Sequence, residues 1–340
     1  MPKLRKLDID LAALDSILIV KPSSLGDIVH TLPLLSLLRH HAPKAKITWL
    51  VNSVWAPLLQ EHPFLDEIVE YPRQKFRGIA APFRFRRWAR LQRDLRPDLA
   101  IDVQGLLRSA IATRACRPRQ IVGYSDAREG ANFLHHQVID VDLKRSPHAV
   151  DRYLTFFQAF GLEIPENPDF PLPDGEPIDQ QLPADFVLLH PFSRGKGKSL
   201  TNSQVQEFCR SLGDQPVVLV GKTETEDARL DLPANAVDLL NLTSLAQLIW
   251  ILRRAAFVVS VDSGPMHLAA AVTGRLLSIH TWTDPLKVGP YRPEAWVWKS
   301  NEIRTIGDHR ISGSPDQEAV QFTDAAVAPL VAFIRQQLLG

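Results

Sequence analysis

The sequence predicts an α/β protein built from two parallel-sheet domains, and three observations carry that prediction. Short aliphatic runs alternate with longer amphipathic stretches along the chain, the alternation restarts after residue 185, and a proline-dense acidic stretch separates the two rounds. Strands that are apolar at nearly every position and spaced by helices belong to parallel sheets covered on both faces.

In the first round, residues 17–20, 47–51, 68–71, 99–103, 121–123 and 138–141 read as strands, with helical patterns at 28–40, 83–95 and 106–115. In the second, 186–190, 217–220, 237–240, 257–261 and 276–280 are strand-like, and helices fill 202–213, 243–254, 264–273 and 318–338. Residues 164–178, with Pro183 beyond them, hold much of the excess in a total of 26 prolines. Proline removes backbone donors and forbids helix, so this stretch is an extended linker. The expected organisation is a first domain over 1–163, a linker over 164–184 and a second domain over 185–340, whose last helix could pack back on the first domain. Two such domains place a central cleft at the carboxyl ends of their sheets, where open α/β folds bind ligands.

Composition narrows the function classes. A chain of 340 residues with 45% hydrophobic and 23% charged residues is neither disordered nor fibrous. Its 39 basic residues nearly balance 38 acidic ones, so no global field draws it to nucleic acid and any anion-binding surface must be local. Cys116 and Cys209 match no metal spacing and make no disulfide framework, which fits a reducing compartment. Asp8, Asp10 and Asp15 interrupt what would be a signal-peptide core. No uncharged apolar run reaches the roughly 18 residues of a spanning helix. A cytoplasmic protein able to touch a membrane surface is expected.

Three strand-to-helix turns can carry chemistry. After the first strand, residues 21–30 bring Ser23, Ser24, Gly26 and Asp27 to a helix start. The dinucleotide fingerprint is absent there, which argues against a nicotinamide enzyme. Ser24 and Asp27 fit a capping box, and a carboxylate at that position is also free to serve as a base; the spacing admits both. After residue 190, Ser193, Arg194, Lys196 and Lys198 lie in a glycine-containing turn that is not a Walker A loop, because Phe192 stands where its first glycine belongs. Such a turn offers donors and positive charge to a phosphate. After residue 261, Asp262 or Ser263 caps a helix expected to begin at Pro265, with His267 in its first turn, and the amides around Gly264 suit a pyrophosphate. Two phosphate-friendly turns in one half favour a nucleotide-diphosphate ligand without hydride chemistry.

A fourth feature is charge. Nine basic residues between Arg73 and Arg96, among them Arg84, Arg86 and Arg87, face a single acid, Asp94, and interleave with Phe76, Phe83, Phe85 and Trp88. This basic, aromatic surface suits an anionic acceptor or the anionic face of a membrane; no nucleic-acid module accompanies it.

Taken in order, the stretches 21–33 (Lys-Pro-Ser-Ser-Leu-Gly-Asp-Ile-Val-His-Thr-Leu-Pro), 102–110, 126–131 with 148–152, and 262–271 resemble the lipopolysaccharide ADP-heptosyltransferases of glycosyltransferase family 9, above all heptosyltransferase I. The resemblance implies a GT-B fold of two Rossmann-like domains, acceptor on the first and sugar nucleotide on the second. It implies inverting, metal-independent, cofactor-free transfer of L-glycero-D-manno-heptose from ADP-heptose to Kdo-lipid A, at the cytoplasmic face of the inner membrane. By motif position it makes Asp27 the general base and puts Ser193, Lys198, Asp262, Ser263, Gly264 and His267 at the donor phosphates. Glu226 falls near the nucleoside, and Ser23, Ser24, Gly26 and Arg128 lie on the acceptor side. The chain departs from the family in three places: Asp-Ser-Gly at 262–264 for Asp-Thr-Gly, an extra residue between Arg194 and Lys198 that makes Lys196 a competitor, and Trp282 in place of a proline.

On this reading Arg194, Lys198 and the amides at Ser263 and Gly264 neutralise the departing ADP. A helix N-terminus lowers the pKa of Asp27 and burial raises it, so the sequence leaves its sign open. Two other readings stand beside it: another sugar-nucleotide enzyme of the same fold, such as an epimerase, and a non-catalytic nucleotide-binding protein.

Overall fold

The computed structural model describes residues 6–141, 148–223, 230–312 and 320–339. The chain divides into two compact units, Met1–Pro173 and Asp174–Gly340, with the boundary inside the proline-dense stretch.

In the first unit β1 (Ser16–Val20), β2 (Lys46–Asn52), β3 (Glu67–Tyr71), β4 (Leu99–Asp102), β5 (Gln120–Tyr124) and β6 (Gln137–Ile139) form one sheet in the order β3-β2-β1-β4-β5-β6. Every neighbouring pair is parallel. The central strand β1 is buried from Ile17 to Val20, as expected of a strand covered on both faces. Helix α1 (Leu25–His41) is apolar almost all round and correspondingly buried. Helix α2 (Ala81–Leu91) stops four residues short of expectation, in a chain that turns through a left-handed Arg96 into Pro97. Helix α3 (Leu107–Ala115) follows β4, and a 3-10 segment, Arg128–Leu134, follows β5.

Helix α4 (Ala149–Ala159) is an element the sequence pattern did not reveal. Its run Tyr153-Leu-Thr-Phe-Phe has the composition of a strand; packing against α1 makes it a helix, and His148 caps it by accepting from the Val150 amide at 3.2 Å.

The second unit repeats the plan. Strands β7 (Val187–His190), β8 (Val217–Gly221), β9 (Ala236–Leu240), β10 (Phe257–Val261), β11 (Leu276–Ile279), β12 (Trp296–Lys299) and β13 (Glu302–Thr305) lie in the order β13-β12-β11-β10-β7-β8-β9. All pairs are parallel except β12–β13, an antiparallel edge hairpin that the four-residue strands were too short to announce. Helices α5 (Asn202–Ser211), α6 (Leu245–Leu252), α7 (Gly264–Val272), α8 (Pro285–Val288), α9 (Ile306–Ser312) and α10 (Val327–Leu339) complete it. The last helix begins later than the expected residue 318, after a 3-10 turn at Asp324–Ala326. Its face of Val327, Leu330, Val331 and Ile334 joins the core of this unit, and the helix lies on α5. Cys116 and Cys209 are buried free thiols, one in each unit. Burial pushes the pKa of both up to about 12.

Strand order also positions the candidate functional turns. In each sheet the order reverses beside the first strand in sequence, between β1 and β4 and between β7 and β10. Loops leaving two such neighbours at their carboxyl ends run in opposite directions and open a crevice. The turns at 21–24 and 102–106 meet at the first point, and those at 190–201 and 262–263 at the second.

Candidate active site

In the first unit the turn after β1 ends at Ser24, the N-cap of α1, across a cis Ser23–Ser24 peptide. The Asp27 carboxylate folds back onto it: Oδ2 accepts from the Ser24 amide at 2.8 Å and from the Ser24 hydroxyl at 2.8 Å. The other oxygen, Oδ1, accepts from the Tyr153 phenol of α4 at 2.7 Å. Lys21 Nζ donates to the same phenol oxygen at 2.8 Å and stands 3.5 Å from Oδ1. The Lys21 side chain is only 4% exposed and that of Asp27 is 35% exposed. Burial works against the charge of Asp27, but Lys21, the Ser24 amide, Tyr153 and the Ser24 hydroxyl together outweigh it and lower its pKa. Burial also lowers the pKa of Lys21, against the pull of Asp27. The result is an ionised carboxylate that solvent reaches and that four neighbouring groups hold in place.

Next to it, Ser23 donates its amide to Gln104 Oε1 at 3.3 Å, joining the two turns at the switch point. Behind them Asp102 is wholly buried and fully used. Its Oδ1 accepts from the Gln104 and Gly105 amides, each at 3.1 Å, and its Oδ2 meets Ser109 Oγ at 3.0 Å and His135 Nε2 at 3.1 Å. A side chain at Gly123 would put its Cβ 2.2 Å from the His135 ring, so this position admits only glycine. Gly26 is buried in the first turn of α1, whereas Arg128 is exposed and its amide donates to Gly105 O at 2.9 Å.

The basic segment separates into two faces. Arg84, Arg86, Arg87 and Arg90 are exposed along α2. The expected aromatic surface is largely absent: Trp88 is buried against Tyr71, and Phe76 and Phe85 pack on the same core cluster. The spacing Phe85 to Trp88 explains this, since residues three apart share one helix face. Only Phe83 of the four aromatics projects, accompanied by exposed Ile79 and Leu91.

In the second unit Lys198 Nζ donates to Asp262 Oδ2 at 2.6 Å, and Thr283 Oγ1 donates to the same oxygen at 2.7 Å. Ser193 Oγ donates to Asp262 O at 3.2 Å. Trp282 holds the loop from outside, its indole Nε1 donating to Lys196 O at 3.1 Å while Lys198 Nζ lies 4.6 Å from its ring centre. Of the two competing lysines, Lys198 is half-buried in this cluster and Lys196 is exposed, as is Arg194. Burial opposes the charge on Asp262, but His280, Lys198 and Thr283 lower its pKa. Ser263 is the N-cap of α7, yet its hydroxyl turns away from the helix to Val261 O at 3.0 Å and His190 Nδ1 at 3.3 Å. Pro265 takes the second helical position rather than the first, behind Gly264, and His267 is buried in the same turn. His190 and His280 lie beneath these loops, each held near a pKa of about 4 by burial. Glu226 lies outside the described residues.

Comparison with known proteins shows which family the chain belongs to. Residues 87–310 match the family model described as glycosyltransferase family 9 (heptosyltransferase). The lipopolysaccharide heptosyltransferase 1 of Salmonella typhimurium is 30% identical over 295 residues, covering 81% of this chain and 91% of that protein. The chain belongs to glycosyltransferase family 9. The protein of the same name from Pseudomonas aeruginosa is 29% identical over 81% of both chains. Among solved structures, the E. coli heptosyltransferase WaaC with ADP matches at a TM-score of 0.72 and 23% identity, over 95% of this chain and 99% of that one. The E. coli ADP-heptose lps heptosyltransferase II matches at 0.73 and 20%, over 95% and 98%. These likenesses give the fold, the GT-B class of two Rossmann-like domains, and family membership makes the protein a glycosyltransferase.

Within this family 9 chain, Lys21 and Tyr153 are candidate site residues that the sequence reading missed. Lys21 had a signal, a lysine directly following a buried strand. Tyr153 had a fainter one, since it directly follows the family-like stretch 148–152.

Proposed function

We propose that this glycosyltransferase builds the lipopolysaccharide inner core by moving L-glycero-D-manno-heptose from ADP-heptose to Kdo of Kdo-lipid A, with inversion at the anomeric carbon. The observation that carries the proposal is the state of Asp27 in a family 9 chain: ionised, reached by solvent and aimed from the carboxyl end of the central strand. The acceptor hydroxyl gives its proton to Asp27 as its oxygen bonds to C1 of the sugar; the bond from C1 to the phosphate oxygen breaks and its electron pair leaves with ADP. A lowered pKa makes Asp27 a weak base at equilibrium. The hydroxyl becomes strongly acidic once its oxygen has begun to bond, so a weak base suffices late in the step.

In the second unit Lys198, Arg194, Ser193 and the first amides of α7 suit the negative charge of a diphosphate. Neutralisation by these groups accounts for a reaction without a metal ion. An ADP-heptose donor is supported by the relative solved as E. coli WaaC with ADP-2-deoxy-2-fluoro heptose.

The exposed arginines of α2, with Ile79 and Phe83, suit an acceptor that carries phosphates and carboxylates and sits in the cytoplasmic leaflet of the inner membrane. A cation near such a surface contributes about 1 kcal/mol, and exposed apolar side chains add interfacial contact. Among the described residues no helix is long and apolar enough to cross a membrane.

The test is to incubate the protein with ADP-heptose and Kdo-lipid A, with and without EDTA, and weigh the lipid by mass spectrometry. A product heavier by one heptose in both samples is expected. Consumption of ADP-heptose without acceptor would favour an epimerase, and product lost reversibly on chelation would overturn the metal-free step.

A further inference from the structure

The base proposed above does not stand alone, and its surroundings divide its two oxygens sharply. An ionised carboxylate has about four lone-pair positions for donors. Two of them, on Oδ2, are taken by the amide and hydroxyl of Ser24. On Oδ1 the Tyr153 phenol makes one short bond, while Lys21 directs its own short bond to the phenol oxygen and stays 3.5 Å from the carboxylate. Among the described residues one lone-pair direction therefore remains, and it belongs to Oδ1.

We infer that Tyr153 and Lys21 are positioning residues for catalysis: the Tyr153 hydroxyl, polarised by the buried Lys21 ammonium, fixes Oδ1 as the atom that receives the acceptor's proton. The inference rests on the reading of Asp27 as the base and goes beyond it by naming the atom and the groups that aim it.

Three features argue that the arrangement is built for this purpose. Tyr153 as a residue is 5% exposed and the Lys21 side chain 4%, so neither gains from solvent what it gives to Asp27. The ammonium also lies 4.5 Å from the centre of the Tyr153 ring, so ring and hydroxyl together hold the cation. And the phenol cannot itself take the proton: burial and the neighbouring Asp27 charge raise its pKa well above the usual range. Among the described residues the groups facing Asp27 are Lys21 from the turn after β1, Ser24 from the start of α1 and Tyr153 from α4. Asp102 and Arg152 act on Lys21 from β4 and α4. Removing the phenol hydroxyl takes away one of the interactions that lower the pKa of Asp27, so the base should then lose its charge at higher pH.

The experiment compares Tyr153→Phe with the parent protein, reading kcat and donor KM across the acidic pH range. Phenylalanine keeps the ring under Lys21 and the packing of α4. The expected result is kcat lower by about tenfold, the order of one lost hydrogen bond to a charged group, with the acidic limb of the kcat profile moved to higher pH and donor KM unchanged. Lys21→Arg should keep the limb near its parental position, and Lys21→Met should move it in the same direction as Tyr153→Phe. In an Asp27→Asn background Tyr153→Phe should change nothing further. Parental kcat and pH limb in Tyr153→Phe, alongside an inactive Asp27→Asn, would overturn this inference alone; an active Asp27→Asn would overturn the base reading and this inference with it.

Discussion

The two units each place a lysine–aspartate pair at the strand-order reversal of a sheet, between parallel neighbours, and the pairs are built in opposite senses. In the first unit the lysine is the hidden partner, Lys21 at 4% exposure, and the aspartate is the presented one, Asp27 at 35%. In the second the aspartate is hidden, Asp262 at 7%, and Lys198 lies further out at 16%. The same two charges therefore give surfaces of different character. One turn offers a carboxylate steadied from behind by a cation. The other offers an ammonium steadied from behind by an anion, next to helix amides with no side-chain cap. In the proposed reaction the first surface takes a proton and the second receives a departing diphosphate.

The contrast can be broken most decisively at Asp27. Asp27→Asn should lower kcat by about 10²–10⁴-fold, the usual range for loss of a general base, while donor KM stays near the parent's in initial-rate measurements. A matching loss of donor affinity would mean that the two turns do not divide the work as their charges suggest.

Lys198→Met tests the other turn. It leaves Asp262 buried without its cation, and breaking such a pair costs about 3–5 kcal/mol, so denaturant unfolding should shift strongly and donor KM should rise. The double variant Lys198→Met with Asp262→Asn separates these effects. Its stability should recover and its donor KM should stay high; recovery of both would reduce Lys198 to a structural role.

The smallest effect concerns pH and stability. Burial holds His190 and His280 at about 4 in the folded second unit, against an ordinary value of 6.5. The unfolded chain therefore takes up protons first as pH falls from 6.5 towards 4, and stability declines across that window. The lowered aspartates act elsewhere, since the stability they add is lost only below the ordinary carboxylate value of 3.8. Thermal unfolding should occur at lower temperature at pH 5 than at pH 7, and His190→Gln with His280→Gln should flatten the difference.

Much of this was legible in the chain. The parallel strands announced themselves because a strand buried on both faces is apolar throughout, and the turns because serine, glycine and aspartate collect where a strand gives way to a helix. Ser24 with Asp27, and Asp262 with Ser263, lie within a few residues of one another, so local spacing was enough to single them out. Tyr153 is 126 residues from Asp27, and only the packing of α4 on α1 brings it there. The aromatic segment at 73–96 shows a different limit. Composition reports that Phe76, Phe85 and Trp88 are present beside arginines, but the side of α2 that meets the sheet decides that they are core rather than surface.

Trp282 has a practical consequence. It is half exposed, whereas Trp49, Trp88 and Trp298 are buried, and its indole touches both the backbone of Lys196 and the ammonium of Lys198. An anion that draws that ammonium away changes the electric field on the ring, so the chain carries its own optical reporter at the loop. On the proposed donor role of this loop, intrinsic fluorescence should follow nucleotide loading without a dye, and Trp282→Phe is its blank.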